Sequence, residues 1–257
     1  MKATVCELPH DWTCSAAIQR ALSDHLQENQ TDLLLLPEMP FYKWLSGSNV
    51  PDPLAWQAAV SAHDGWMEKL KDLRVPMVAG TRPILKNGHP INTAFVWTRE
   101  KGVQYVHEKY YLPNEEGFWE ATWYEQGDGA FEVVEVNGIR IGFLICTEMW
   151  FTRHARDYSK QGIHLLLCPR ATPVSSASTW VAGGRSAAWI SGAFCLSSNF
   201  NGPNTPDMAF GGTGWITEPD GGQVLGLTAA TTPFLTREID IQAAVEAKKT
   251  YPRYVQE

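Results

Sequence analysis

Residues 33–38 read Leu-Leu-Leu-Leu-Pro-Glu, and this stretch carries the strongest indication of the fold. A short, wholly apolar run is typical of a strand that is covered on both faces. Pro37 and Glu38 then end the strand. We therefore expect a buried strand with a carboxylate at its end.

On both sides of this strand, apolar runs of strand length alternate with stretches of helical periodicity. Helices are predicted over Ser15 to Gln27 and Pro53 to Leu73, and near Phe151 to Gln161 and Thr179 to Ser191. The predicted strands are Ala3–Leu8, Leu33–Leu36, Val75–Ala79, Ile91–Thr98, Val103–His107, Phe131–Val136, Ile139–Cys146, Ile163–Cys168, Ala193–Asn199, Gly214–Thr217, Gln223–Gly226 and Phe234–Ile239. The pattern predicts an α/β protein with two large sheets and helices on the outside.

The composition indicates how many domains the chain forms. Its 257 residues are 44% hydrophobic and 19% charged, the profile of a soluble globular protein. No Pro/Gly/Ser linker or charge run divides it, so we expect a single domain over residues 1–257 with a C-terminal tail from about residue 241. An aromatic-rich loop is expected from Tyr110 to Ala130, and loops of that length are usually functional.

Charge and cysteine usage exclude several classes of function. The net charge of −7 and the absence of a basic block argue against nucleic acid and anionic membranes as partners. No apolar run approaches the roughly 20 residues of a membrane span, and the N-terminus lacks a signal-peptide pattern, so a cytoplasmic location is expected. Five scattered cysteines and seven histidines show no metal-ligand spacing, and we expect neither metal nor cofactor.

Three predicted strand ends carry chemically active side chains. Cys146 ends the strand Ile141-Gly-Phe-Leu-Ile and precedes a turn into a helix, where backbone N–H groups favour a thiolate. A cysteine on a strand is more often a core residue, so position alone does not decide its role. Glu38 and Lys109 follow two other strands, and each alone is compatible with a solvated strand end.

Taken together, these stretches resemble the nitrilase, or carbon-nitrogen hydrolase, superfamily. The resemblance rests on Leu-Leu-Pro-Glu38, Lys109-Tyr-Tyr-Leu-Pro, Ile-Gly-Phe-Leu-Ile-Cys146-Thr-Glu and the Gly-Gly-Thr-Gly-Trp run from Gly211, in the family's order. It extends from Ala3 to about Ile241. The resemblance implies a four-layer α-β-β-α sandwich with a Glu38–Lys109–Cys146 triad.

In the mechanism that the resemblance implies, Cys146 attacks the substrate and forms a thioester. Glu38 would act as general base and then as general acid. Lys109, with the backbone N–H after Cys146, would stabilise the oxyanion. Glu148 would order the loop.

The family also has a second glutamate between the lysine and the cysteine, and two candidates compete for that place. Glu120 fits the family spacing to the later Gly127-Asp128, and we prefer it. Glu116 stays open because Glu116-Gly-Phe-Trp is similar to a motif of the aliphatic amidases. Glu115 and Glu125 are interpreted as solvated loop charges.

Substrate-binding residues are less clear from the sequence. The candidates are Thr147, Trp119, Trp150 and Arg170, the last as a partner for a substrate carboxylate or, as readily, a structural cation. Further aromatic residues expected near the pocket mouth, or else in the core or an interface, are Phe41, Tyr42, Trp44, Trp123 and Phe151.

The leading hypothesis is an enzyme without a cofactor that hydrolyses a small amide or N-carbamoyl compound and releases ammonia. Thr147 stands where nitrile-cleaving members usually have Trp, which disfavours nitrile hydrolysis. Two further hypotheses are amide-forming acyl transfer on the same triad and, from a different class, a non-catalytic interaction module. The resemblance also implies a homodimer or larger assembly, with Trp180, Val181, Trp189 and Ile190 as suitable contact residues.

Overall fold

A computed structural model describes residues 1–205 and 208–255. Within these ranges, thirteen strands form one hydrogen-bonded system. The strands are β1 (Lys2–Pro9), β2 (Leu33–Leu35), β3 (Met77–Lys86), β4 (His89–Thr98), β5 (Gly102–Glu108), β6 (Val134–Val136), β7 (Ile139–Phe143), β8 (Leu165–Pro169), β9 (Phe194–Thr205), β10 (Met208–Gly211), β11 (Trp215–Thr217), β12 (Val224–Leu227) and β13 (Phe234–Glu238). The main path is β5-β4-β3-β2-β1-β9-β8-β7-β6, with β13 on β1 and β11 on β9.

The predicted helices are confirmed. They are α1 (Ala16–Glu28), α2 (Pro53–Lys69), α4 (Arg153–Lys160) and α5 (Ala177–Ser191), and the structure adds two helices that were not predicted, α3 (Glu120–Trp123) and α6 (Ile241–Ala247). The side chains of Ser15 and Asp52 accept backbone N–H groups at the starts of α1 and α2, which explains where these helices begin. Among the described residues, no helix is both long and apolar enough to span a bilayer.

Successive side chains of a strand point to opposite faces of the sheet, and they pack in two different apolar clusters. Leu33 and Leu35 lie in the same apolar cluster as Phe143 of β7, between the strands of the two halves. Leu34, which points to the other face, packs in a second cluster with Leu22 of α1. The first-half strands are therefore covered by helices on one face and by the second-half strands on the other.

The second half repeats this arrangement with different helices. Tyr158 of α4 and Ala188 of α5 pack in the same cluster as Leu166 of β8. Gly142 of β7 lies directly under the Tyr158 ring, where a Cβ atom would approach the ring to 2.9 Å. This packing fits the α-β-β-α sandwich that the resemblance implied.

Both unpredicted helices lie in segments expected to be irregular. The predicted tail after residue 241 contains helix α6, whose Ala244 and Ala247 are buried. Lys248 fixes its end by donating to the carbonyls of Ile163 and Gly192 at 2.6 and 2.5 Å. The segment from Tyr110 to Ala130 is mostly irregular, as predicted, but contains the short helix α3.

Candidate active site

The backbones that carry Glu38, Lys109 and Cys146 are fixed by hydrogen bonds to neighbouring elements. Glu38 follows β2, and its N–H donates to the carbonyl of Arg170, after β8, at 3.2 Å. Lys109 follows β5, and its N–H donates to Asn92 of β4 at 2.9 Å. Cys146 begins a short 3-10 helix after β7. The strand ends of both halves thus meet at one place.

At this place, a fully buried lysine is held between two carboxylates. Lys109 Nζ donates to Glu38 Oε1 at 2.7 Å and to Glu120 Oε2 at 2.5 Å. Asn92 Nδ2 also donates to Glu38 Oε1, at 2.8 Å. Glu38, Lys109 and Glu120 are each 0% exposed. Buried charges persist only when they are paired, so these side chains form one structural unit.

Two oxygens of this unit lack a partner among the described residues. They are Glu38 Oε2 and Glu120 Oε1, both buried. Unpaired buried carboxylate oxygens are rare and call for a ligand or a reacting group. The position of Glu38 Oε2 is therefore suited to accept a proton.

Cys146 adopts φ +49°, a conformation that residues with a Cβ rarely take. Thr147 N–H lies in the first turn of the 3-10 helix, where N–H groups have no partner within a helix. A carbonyl oxygen held beside the sulfur can accept from such a group.

Burial opposes the thiolate that the backbone N–H groups near Cys146 favour. Burial, and then the Glu38 carboxylate, raise the pKa of the Cys146 thiol to about 12, while Lys109 opposes the shift. The free protein therefore holds a neutral thiol. If this sulfur is to attack a substrate, a base must take its proton, and Glu38 is the carboxylate that most strongly affects this thiol.

Glu120 and Lys109 influence each other strongly. Burial raises the pKa of Glu120 to about 7, although Lys109 lowers it. Burial lowers the pKa of Lys109, but Glu120 and Glu38 together raise it well above its ordinary value. The lysine is therefore a permanent cation, whereas Glu120 titrates near neutral pH.

We predict that Glu120→Gln lowers kcat/KM by about tenfold or more, because the amide is a weaker acceptor and Lys109 loses its second anchor. Glu116 is exposed and does not contact Lys109, so Glu116→Gln is the matched control and should keep the wild-type rate. Ammonia-release kinetics of both variants measure the difference. A larger loss in Glu116→Gln would contradict the placement of the second glutamate.

Tyr124 is a member of the unit that sequence reasoning missed. Its hydroxyl donates to Glu120 Oε2, the same oxygen that accepts from Lys109. Tyr124 and Glu120 are four residues apart, a spacing that brings side chains together on a helical turn. This hydrogen bond lowers the pKa of Glu120 because it favours the carboxylate.

A pH profile tests the role of Tyr124. If ionised Glu120 is needed to hold Lys109, kcat/KM rises with pH through about 7. Tyr124→Phe removes a donor to the Glu120 carboxylate and so raises the pKa of Glu120. We expect the rise of kcat/KM with pH to move to higher pH, so that kcat/KM falls more at pH 6 than at pH 8.5. Tyr105→Phe, on the exposed part of β5, is the control. An equal loss at both pH values would show a merely structural role.

Glu148 connects the loops of Lys109 and Cys146. Its Oε2 accepts from Ile145 N–H at 2.8 Å and pairs with His107 Nε2 at 2.7 Å, and its Oε1 accepts from Tyr110 N–H at 2.7 Å. Burial lowers the pKa of His107, but Glu148 outweighs burial and raises it. Glu148 thus orders the loop, as proposed from the sequence.

A cavity of about 380 Å³ opens onto Cys146 and Glu120. Thr147 and Trp150 line it, whereas Trp119 does not. Phe118 and Trp180, which the sequence did not assign to the pocket, also line it. Trp180 is 7% exposed and is therefore unavailable as the contact residue proposed for self-association.

A larger cleft of about 750 Å³ contains Phe41 and Tyr42 but does not reach Cys146.

Of the two roles left open for Arg170, the structure supports the structural cation and not the partner of a substrate carboxylate. Arg170 is 0% exposed and donates to Ser197 Oγ at 2.7 Å, Thr172 Oγ1 at 2.6 Å and the carbonyl of Thr213 at 2.9 Å. Its guanidinium also lies 4.2 Å from the centre of the Trp215 ring. Arg170 therefore supports the cavity wall at Thr172 from behind, and its donors are not available to a substrate carboxylate.

Comparison with known protein sequences finds similarity to enzymes that act on carbon-nitrogen bonds. A family model described as carbon-nitrogen hydrolase matches residues 2–249. The chain is 27% identical to a 2-oxoglutaramate amidase of Bacillus subtilis over 232 residues, which cover 88% of this chain and 85% of that protein.

Solved structures show the same fold. A carbon-nitrogen hydrolase from Helicobacter pylori G27 superimposes with a TM-score of 0.83 at 19% identity, covering 98% of this chain and 94% of its own. A variant of an amidase from Nesterenkonia sp. AN1 has a TM-score of 0.75 at 19% identity and 96% coverage of both chains. In that variant, acrylamide is bonded to the active-site cysteine.

Proposed function

The chain belongs to the carbon-nitrogen hydrolase family, and we propose that it hydrolyses the C–N bond of a small amide or N-carbamoyl compound through a thioester on Cys146. One observation carries this proposal. A buried lysine between two carboxylates adjoins a neutral thiol at a cavity of about 380 Å³, large enough for a small molecule. Each group has a role in acyl transfer.

In the first half of the reaction, Cys146 Sγ bonds to the carbonyl carbon while its proton passes to Glu38. The carbonyl oxygen becomes an oxyanion, which Lys109 Nζ and the N–H of Thr147 stabilise. Since burial keeps the pKa of the thiol at about 12, proton loss accompanies attack rather than preceding it. The C–N bond of an amide then breaks, and Glu38 returns the proton to the nitrogen that leaves as ammonia.

In the second half, water attacks the thioester carbon and Glu38 accepts a proton from it. The C–S bond breaks, the acid product forms, and Glu38 passes the proton that it took from water to the leaving sulfur. Glu120 holds Lys109 in place during both steps, because it forms a second ion pair with the ammonium beside that of Glu38. The protein's own residues supply every proton transfer in this cycle.

We expect amide cleavage to be faster than nitrile cleavage. Attack on an amide gives an oxyanion that Lys109 can stabilise, whereas attack on a nitrile gives a nitrogen that must be protonated. The test is a matched pair, with one acyl group presented as primary amide and as nitrile, and kcat/KM measured by ammonia release. A nitrile converted to the acid as fast as its amide would contradict the amidase proposal.

The family resemblance also leads us to propose self-association of this chain, which we treat as one domain. Trp189 is 38% exposed at the surface of α5 and is suited to such a contact, unlike the buried Trp180. Sedimentation at micromolar concentration should give a species larger than the 28.7 kDa chain. A 28.7 kDa species alone would contradict this proposal.

A further inference from the structure

The cavity at Cys146 has an acidic lining. Among the described residues that line it, the charged side chains are Glu115 and Glu120, and none is lysine, arginine or histidine. The nearby cations are already engaged, since Lys109 pairs with two carboxylates and Arg170 donates to protein oxygens. A negatively charged group of a substrate would therefore find no free counter-charge.

Glu115 lies at the mouth of this cavity. Its backbone forms a tight turn with Phe118, in which Phe118 N–H donates to the Glu115 carbonyl at 2.9 Å. The residue is exposed, and its carboxylate forms no ion pair with any other described residue. Within the described part of the chain, its charge is therefore not neutralised.

Aromatic rings form another part of the lining. Trp150 is 42% exposed, and its ring centre lies 4.7 Å from that of the buried Trp180. Gly183 of α5 allows this approach, because a Cβ atom there would come within 2.7 Å of the Trp150 ring. Indole faces attract cations, and the attraction grows where water is excluded.

We propose, on the basis of the proposed amidase function, that this cavity selects amide or carbamoyl substrates that carry a positively charged group at the end remote from the scissile bond. Glu115 would bind that cation at the cavity mouth, with the Trp150 ring beside it. An anionic end would instead be repelled by Glu115 and lose hydration without compensation. Glu115 then determines specificity, in contrast to its interpretation from sequence as a solvated loop charge.

Three amides of matched chain length test this proposal. They are pentanamide, 5-aminopentanamide and the monoamide of glutaric acid, which are neutral, cationic and anionic. The proposal predicts that kcat/KM decreases in the order cationic, neutral, anionic, with at least about tenfold between the first and last. The order should weaken at high salt because exposed charges are screened.

Substitutions at the cavity mouth separate Glu115 from general charge effects. Glu115→Gln should reduce the ratio of kcat/KM for the cationic to the neutral amide by about threefold to fivefold. Glu115→Lys should place the anionic amide ahead of the cationic one. Glu116→Gln removes the adjacent exposed charge, which does not line the cavity, and should leave the ratio unchanged.

The outcomes distinguish this inference from the proposed function. If pentanamide is hydrolysed but the anionic amide is as good as the cationic one, or Glu115→Gln leaves the ratio unchanged, the inference is overturned. If none of the three amides is hydrolysed, the result counts against the proposed amidase function. In that case calorimetric binding of the three compounds to Cys146→Ala protein still tests the charge order, and tighter binding of the anionic amide would overturn it.

Discussion

The Cys146→Ala variant is expected to lose at least roughly 10⁴-fold in turnover while it folds like the wild type. The sulfur is the atom that bonds to the substrate carbon, and no other described cysteine lines the cavity. The change removes a single side-chain atom at the cavity wall, so the core packing is kept. Ammonia release measures the loss, and thermal unfolding measures the fold.

Cys14→Ser provides the matched control for Cys146→Ala. Cys14 is exposed, whereas Cys6, Cys168 and Cys195 are buried like Cys146. A surface substitution of this kind should keep the rate within about twofold of wild type. Ammonia release by Cys146→Ala well above background would show that another group is the nucleophile.

Lys109→Met should have the second large effect, on both stability and turnover. The substitution leaves Glu38 and Glu120 buried together without a cation, and breaking a buried ion pair costs about 3–5 kcal/mol. It also removes the cation that would stabilise the oxyanion. We expect kcat/KM to fall by several orders of magnitude.

The stability loss in Lys109→Met should depend on pH with a defined sign. Burial already raises the pKa of Glu120 to about 7 with Lys109 present, and loss of the lysine raises it further. The folded state then binds a proton that the unfolded chain releases above its ordinary carboxyl pKa. The free energy of unfolding should therefore decrease as pH rises through 7, so urea unfolding should show a larger deficit at pH 8 than at pH 5.

Glu38→Gln is the companion variant, since it removes the base while keeping the shape of the side chain. A loss of about 10²- to 10⁴-fold in turnover is expected. The losses in Glu38→Gln and Lys109→Met should not add when the substitutions are combined, because both act on one transition state. Near-native rates in both single variants would contradict the proposed triad.

The strand ends were the part of the site that the sequence could reveal. Glu38 and Cys146 each follow an apolar run, and a charged or nucleophilic residue at such a place interrupts the apolar pattern. Lys109 follows β5, which mixes apolar and polar residues and gives no such signal. Asn92 lies inside β4 as a buried polar residue, and the sequence pattern does not single it out. Its contact with Glu38 depends on how β4 lies beside the β2 end, which periodicity does not determine.

Side-chain direction explains the remaining differences. Arg170 follows β8 as predicted, but its side chain turns away from the cavity to Ser197 and Trp215. Trp180 lies on an outer helix, where an apolar residue suggests an interface, yet it faces the cavity beside Trp150. Which face of α5 is buried depends on its packing against the sheet. Because this helix has apolar residues on several faces, the sequence alone does not predict which of them is buried.

The most direct test of the account is to identify the covalent intermediate. Wild-type protein is mixed with a primary amide that it hydrolyses, quenched in acid during steady turnover, digested and analysed by mass spectrometry. The account predicts a mass increase of one acyl group on the peptide that contains Cys146, absent from Cys146→Ala. An acyl group on Cys6, Cys14, Cys168 or Cys195 instead, or turnover by Cys146→Ala at the wild-type rate, would contradict it.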